Sequence, residues 1–522
     1  MKARNTVIRT AAIVAAATVC FLFTSPRAFA LSPLKSVSAE DVRSDLKHLR
    51  RLLLLAHPNL YAHKSQEKLS AEFSAIEARV KGGMKMGEAM LRVQQMLAAV
   101  CDEHTQIDLS ETYDELDPKI FRIIGEPIIS SPGLILFDHW NMKRSPTKLV
   151  ALQGIPAADI DREMRATISA DGCKSDSAIL NQLEPLDTTL LLSFAIAQRS
   201  EYSATVRTRI STNPDVYGPP ERRAVRLRPI GEIRWERRNT AANYRHTPLE
   251  DIGFKLPRAG VFNTSDPKNH GIMSATSEDG RYAYIHMGSF TKSADQTKTM
   301  NRVMRKIIRG NPKHVILDLT ESPGGWIRSA RRLLSYFLPR AHNTAKTLYK
   351  SSLKAPAADG FTPYSKERGN LQRTNARDFV NGRYSNGNYV LKAARASFGN
   401  PHYRGKITVL VGPNTFSAAT MVALALKKER GATIVGHLSG GDNHTTCYAA
   451  HGTYRLPATG IRVAIPETCY TRSSSNGKGS RRPVPDVKVD PFGQLSSQLK
   501  RAIIQAAANH IAGRKESAAK NN

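Results

Sequence analysis

The sequence predicts an α/β protein in which a parallel or mixed sheet is covered by helices. Three observations carry this. Residues 282 to 338 alternate a strand (Tyr282 to Met287), a helix (about Thr297 to Arg309), a strand (Val315 to Leu319) and, past Pro323-Gly324-Gly325, a helix with Ile327, Leu333, Leu334 and Phe337 near helical spacing. The stretch Lys406 to Val411 reads as a second buried strand, followed by Gly412-Pro413-Asn414-Thr415-Phe416-Ser417 and a helix over Ala418 to Lys428. Ahead of this core, residues 31 to 100 read as helices, and the chain then turns to short β-like runs.

Taken in order, Ser38 with Asp41 resembles a capping box, and Val42, Leu46, Leu49 and Leu53 line one face of a helix that stops at Pro58. A second helix is expected near Ala71 to Val80. A third, carrying Met90, Val93, Leu97 and Val100, leads into Cys101-Asp102-Glu103-His104-Thr105. From about Lys119 to Arg281 the runs are strand-like, among them Lys148 to Leu152 with a turn and helix after it, Tyr202 to Ile210 and Ala224 to Leu227. Residues 340 to 403 are rich in Asn, Ser, Lys and Arg and read as a loop-rich insertion. Further on come a strand at Thr433 to Val435, a hairpin between Thr453 and Ile465, an extended Arg481 to Asp486, and a last helix with Leu499, Ile503, Ile504, Ala507 and Ile511 inward. The expected organisation is therefore 1–30 targeting segment, 31–118 helical domain, 119–281 β-rich segment, 282–493 core, and 494–522 helix and tail.

At 522 residues the chain buries enough surface to fold without metal or disulfide. Lys2, Arg4 and Arg9 precede an apolar run, Ala11 to Phe23, that is too short to span a bilayer, and Ala28-Phe29-Ala30 suits signal peptidase. Export and cleavage near Ala30, to a periplasmic or secreted destination, are expected. Loss of that segment takes the formal charge from +31 to +27. This basicity fits attraction to anionic envelope polymers as well as plain solubility, and no aromatic-plus-basic pattern points to nucleic acid. Cys101, Cys173, Cys447 and Cys469 remain, an even count that allows two disulfides in three connectivities.

Two places suit chemistry. The Gly324-Gly325 turn, between a buried strand and a helix start, leaves bare amides that favour negative charge; a tight structural turn would look the same. Ser417 sits where a strand meets a helix N-terminus, which suits either an exposed nucleophile beside the Ala418 amide or an ordinary capping serine. A rival grouping of Asp442, His444, Cys447, His451 and Cys469 matches no zinc spacing, and a Cys447 to Cys469 disulfide suits an exported chain better. No metal and no cofactor are expected.

The order strand, D-L-x-x-x-P-G-G, helix, strand, T-F-S-A-A, helix, then I-V-G-x-x-x-G-G, L-P-x-x-G-I-x-V and V-P-D-V, over about residues 282 to 493, resembles the S41 peptidases. These include the C-terminal processing proteases, the tricorn core protease and the retinoid-binding repeats. The resemblance implies a crotonase-like (ClpP-like) αβ core, Ser417 as nucleophile, and Gly324, Gly325 and Ala418 as oxyanion-hole donors. It also suggests that the segment around Leu149 to Ala157 belongs to a PDZ-like insertion. Where processing proteases place a lysine, this chain has Asp442; Asp102-Glu103-His104-Thr105 instead resembles the D-G-H-T of tricorn-like members, with Glu103 in place of a small residue. His104 is then the expected base, 313 residues before Ser417, and Glu467 the candidate third member. The expected function is an exported serine peptidase acting on peptides or unfolded proteins by a Ser-His mechanism. The alternative is a non-catalytic S41-fold protein that binds a peptide or an apolar ligand.

Overall fold

The computed structural model describes residues 35–108, 122–123, 127–130, 133–136, 147–152, 154–169, 173, 201–208, 210, 217–226, 228–229, 249, 253–254, 271–339, 347–350, 379–385, 388–393, 402–441, 445–471, 482–489 and 496–513. The expected targeting segment and the polar tail past Gly513 lie outside them, as does Asp442.

Three helices open the described chain: α1 (Ala39–Ala56), α2 (Gln66–Ala78) and α3 (Met86–Ala98). Ser38 caps α1 by accepting from the Asp41 amide, and the spaced residues Val42, Leu46, Leu49 and Leu53 are all buried. Their partners include α3, which is buried on nearly every face, and Tyr454, Leu456, Ile461, Val463 and Ile465, from more than 350 residues away. The helical region and a late hairpin thus share one core.

The middle segment forms an antiparallel sheet from β1 (Pro127–Ser130), β2 (Gly133–Leu136), β3 (Thr147–Leu152), β4 (Glu201–Thr208) and β5 (Glu221–Arg226), in the order β5-β4-β3-β2-β1. Helix α4 (Ala157–Ala166) contacts β2 and β3. Its first turn follows the glycine turn at Gly154, which has φ +80°.

The core begins with β6 (Ile272–Thr276) and β7 (Tyr282–Met287), which pair antiparallel. Helix α5 (Ala294–Gly310), β8 (His314–Asp318) and α6 (Ile327–Leu334) follow, giving the expected βαβ unit with β7 parallel to β8. Next in the chain come β9 (Thr347–Lys350), β10 (Phe379–Ser385), β11 (Asn388–Ala393), β12 (Lys406–Val411), α7 (Ala418–Arg430) and β13 (Thr433–Gly436). The hairpin β14 (Thr445–Arg455) and β15 (Arg462–Thr471), the two-residue β16 (Val487–Lys488) and helix α8 (Ser496–Ile511) complete it.

The main sheet has the order β6-β7-β8-β12-β13-β16, parallel except at its first pair. Because strands of a covered sheet bury both faces, β8 and β12 read as continuous apolar runs, and Val315, Ile316, Leu317, Val409 and Leu410 have no solvent exposure. Helices α5, α6 and α7 cover one face; Ile503, Ile504 and Ala507 of α8 cover the other.

A second sheet, β10-β11-β9-β15-β14, takes in the short strand Gln106–Ile107 against β15. Here the structure departs from the sequence expectation: residues 340 to 403 are not loop alone, since β9, β10 and β11 lie in them. These strands are held by a chain of pairings in which β9 pairs with β15, β11 with β9 and β10 with β11. The hairpin is also longer than the expected Thr453 to Ile465 span, with an irregular register between Tyr448 and His451.

Candidate active site

Two turns leave the C-terminal ends of β8 and β12, which are adjacent in the main sheet, and they lock together. Phe416 N–H donates to Ser322 O at 3.0 Å, and Thr415 Oγ1 donates to Leu319 O at 2.7 Å while accepting from Gly412 N–H. Ser417 is held at φ +50°, ψ −117°, a region that L side chains rarely adopt, and its side chain makes no capping bond. The capping reading of this serine is therefore set aside. Ser417 is partly exposed, and the Ala418 amide, as the first of α7, lies outside the helix's own hydrogen-bond ladder.

The two glycines play different parts. Gly324 (φ +88°) is buried so closely against the serine turn that a Cβ there would lie 2.8 Å from Ser417 Cβ and 2.7 Å from Ala418 N. Gly325 (φ +116°) is exposed, and a Cβ would meet the Phe290 carbonyl instead. Of the pair, Gly324 is the one whose Cβ position lies against Ser417. The bonds Phe290 N–H to Gly324 O and Trp326 N–H to Phe290 O clamp this turn to the segment after β7. Gly441 closes over the other side, where a Cβ would lie 3.1 Å from Ser417 N.

His104 reaches the same place from the helical region. Its ring centroid is 5.2 Å from that of Phe416, the residue before Ser417. Cys101 (φ +65°) starts the tight segment that presents it, and the segment continues into the Gln106–Ile107 strand paired with β15. Glu467 lies in β15, three residues past the Ala464 that pairs with Gln106; its side chain is outside the description. Asp102, quoted in the sequence only as part of a motif, is a buried carboxylate. It accepts from the His104 amide (3.1 Å), Thr105 Oγ1 (2.5 Å) and His57 Nε2 (3.3 Å). Burial alone would raise its pKa; the bonds from His104 and His57 outweigh that and hold it well below the usual carboxylate range.

Behind the glycine turn lies a second buried carboxylate that the sequence did not single out. Asp318, the last residue of β8, accepts from Thr320 N–H (2.9 Å), Thr320 Oγ1 (2.6 Å), the Tyr284 hydroxyl and His286 Nδ1 (3.3 Å), with Lys500 Nζ of α8 at 4.0 Å. Burial works against its charge, but Lys500, His286 and Thr320 keep it ionised far below the ordinary range.

The cysteines form Cys101–Cys173 and Cys447–Cys469 disulfides. Among the described residues, the group of donors close enough to share an ion is His57, Cys447 and Cys469, whose sulfurs are bonded to each other. Of the rival metal grouping, Asp442 and His444 lie outside the described residues. Asp486 is structural: it accepts from the Ile434 amide and pairs with Lys427.

Residues 281–477, which contain both locked turns and the β14–β15 hairpin, match the family model for peptidase family S41. This segment is of the S41 peptidase type, which makes the protein a serine-type peptidase; peptide bonds are the substrate class of that family. No curated protein sequence matches the chain significantly. Among solved structures, mature CPAF is 13% identical with a TM-score of 0.52, over 91% of this chain and 96% of that one. A serine-to-alanine variant of CPAF gives 13% identity and a TM-score of 0.54 over the same shares. CPAF complexed with lactacystin gives 14% and 0.50, over 91% of this chain and 97% of that one. At such identities the likeness is one of fold, and it extends past the S41 core into the helical and β-rich segments.

Proposed function

We propose that this S41 peptidase is exported and cleaves peptides or unfolded proteins by a Ser-His mechanism, with Ser417 as nucleophile and His104 as base. The observation that carries it is the backbone of Ser417: a non-glycine residue in a costly left-handed conformation, released from capping, at a helix start beside Gly324 and one residue from the His104 ring contact. Ser417 Oγ attacks the scissile carbonyl carbon as His104 takes its proton. The tetrahedral oxyanion is met by the amides of Ala418 and the Gly324-Gly325 turn, each donor worth about 3 kcal/mol of barrier. Collapse expels the amine with the proton from His104. Water, activated by the same histidine, then releases the acid and restores Ser417. Glu467 remains the candidate third member through its place on β15.

The basic, apolar start of the chain and two disulfides support export. The strongly basic composition supports salt-sensitive association with anionic envelope polymers as a secondary property.

Fluorophosphonate labelling of the purified protein tests the mechanism. Wild type should label, and Ser417→Ala and His104→Ala should not. A folded wild type that fails to label, and that binds peptide without cleaving it, would instead identify a binding protein on the S41 fold. Lactacystin, with which CPAF forms a complex, is a second compound to test for Ser417-dependent binding.

A further inference from the structure

Asp102 is 3% exposed and His57 5%, and together they stand behind His104. The two carboxylate oxygens divide their work. Oδ1 faces His104, accepting its backbone N–H at 3.1 Å and lying 3.5 Å from its ring Nδ1. Oδ2 takes the Thr105 hydroxyl and His57 Nε2. The state of His57 follows from its other nitrogen. The Asn59 amide donates to His57 Nδ1 at 3.3 Å, so Nδ1 is the acceptor and the proton sits on Nε2, pointing at Asp102. A neutral imidazole therefore holds the carboxylate without cancelling its charge. The Cys447–Cys469 disulfide packs against the same ring, within 4.8 Å, and leaves it little freedom to turn.

We propose that Asp102, held by neutral His57, is a positioning carboxylate of this peptidase, distinct from the candidate third member Glu467: it orients the His104 ring toward Ser417 and stabilises the imidazolium formed when His104 takes the serine proton. This rests on the assignment of His104 as base. The pair carries one net negative charge in a water-poor place, where opposite charges attract far more strongly than in bulk water. Both residues are buried and act through His104. His57 lies 45 positions before Asp102, at the end of α1, which is how the helical region enters the chemistry.

The experiment follows the rate of fluorophosphonate labelling between pH 5 and 9 for wild type, Asp102→Asn, His57→Leu and His57→Gln, with folding checked by circular dichroism. Asp102→Asn should slow labelling at pH 7 by at least about tenfold. It should also move the acidic limb to lower pH, because loss of the negative charge lowers the pKa of the imidazolium. His57→Leu should slow labelling, and His57→Gln, which keeps a donor, should recover most of that loss. A folded Asp102→Asn within threefold of wild type and with an unmoved limb would overturn the role of Asp102. If Asp102→Asn does not fold, equal rates for the His57 Leu and Gln variants would overturn it instead. A wild type that does not label would overturn the assignment of Ser417 and His104, and this inference with it.

Discussion

Ser417 holds a backbone conformation that costs about 1–3 kcal/mol for a residue with a Cβ, and it persists because its neighbours leave no alternative. Thr415 ties the turn to Leu319, Phe416 ties it to Ser322, and Gly324 and Gly441 fill the space on either side. Gly324→Ala tests this at one atom. Its new methyl would start 2.6 Å from Phe416 O and 2.8 Å from Ser417 Cβ, at a φ of +88° that alanine resists. The expected result is loss of labelling by about 10²-fold or more, the scale of one missing oxyanion donor, with a smaller fall in melting temperature. Peptidase assay and thermal melting read the two effects separately.

At the scale of elements, α8 and β8 are joined by charge as well as packing. Lys500 of α8 reaches Asp318 at 4.0 Å and Glu321 at 2.5 Å, beside the turn that bears Gly324. Lys500→Met should destabilise the protein by about 3 kcal/mol in urea unfolding, the usual result of stripping a buried carboxylate of its cation. The sign of the pH effect follows from the depressed pKa of Asp318. Its stabilising contribution is complete above the unfolded-state value, about pH 4, and is lost as the pH falls below it. The gap between wild type and Lys500→Met should therefore narrow below about pH 4, which unfolding curves at several pH values would show.

The whole molecule folds around cores that cross the expected domain boundaries. Tyr454, Val463 and Ile465 of the hairpin pack on α1 and α3, and Asp45 of α1, with no exposure, accepts from the amides of Ala458 and Thr459 in the hairpin turn. Residues 281–477 expressed alone should aggregate, because the apolar face of the hairpin would be left bare; size-exclusion chromatography would show it. In the full chain, Asp45→Ala leaves buried donors unpaired and should cost about 1–3 kcal/mol in urea unfolding. Replacing Cys101 and Cys173 together by Ser should cost about 2–4 kcal/mol, since their bond closes a long loop between α3 and the segment after α4.

What the sequence determined by itself was whatever leaves a local signature. Buried strands such as β8 and β12 are apolar on both faces, and helices α1 and α5 repeat their apolar residues every three or four positions. A Gly-Gly turn and a Thr-Phe-Ser-Ala-Ala segment stand at strand ends. The main-sheet architecture, the S41 resemblance and the candidates Ser417, Gly324 and His104 were legible for that reason. The tertiary structure alone decided what depends on residues far apart in the chain. Strands β9, β10 and β11 carry no clear apolar alternation and are placed by sheet pairing, β9 on β15, β11 on β9 and β10 on β11. The capping alternative for Ser417 was removed by its backbone torsions, which no residue type announces. The grip of His57 on Asp102 and of Lys500 on Asp318 spans 45 and 182 positions. A buried carboxylate is recognisable only once the fold shows which donors surround it, because those contacts impose no spacing on the sequence.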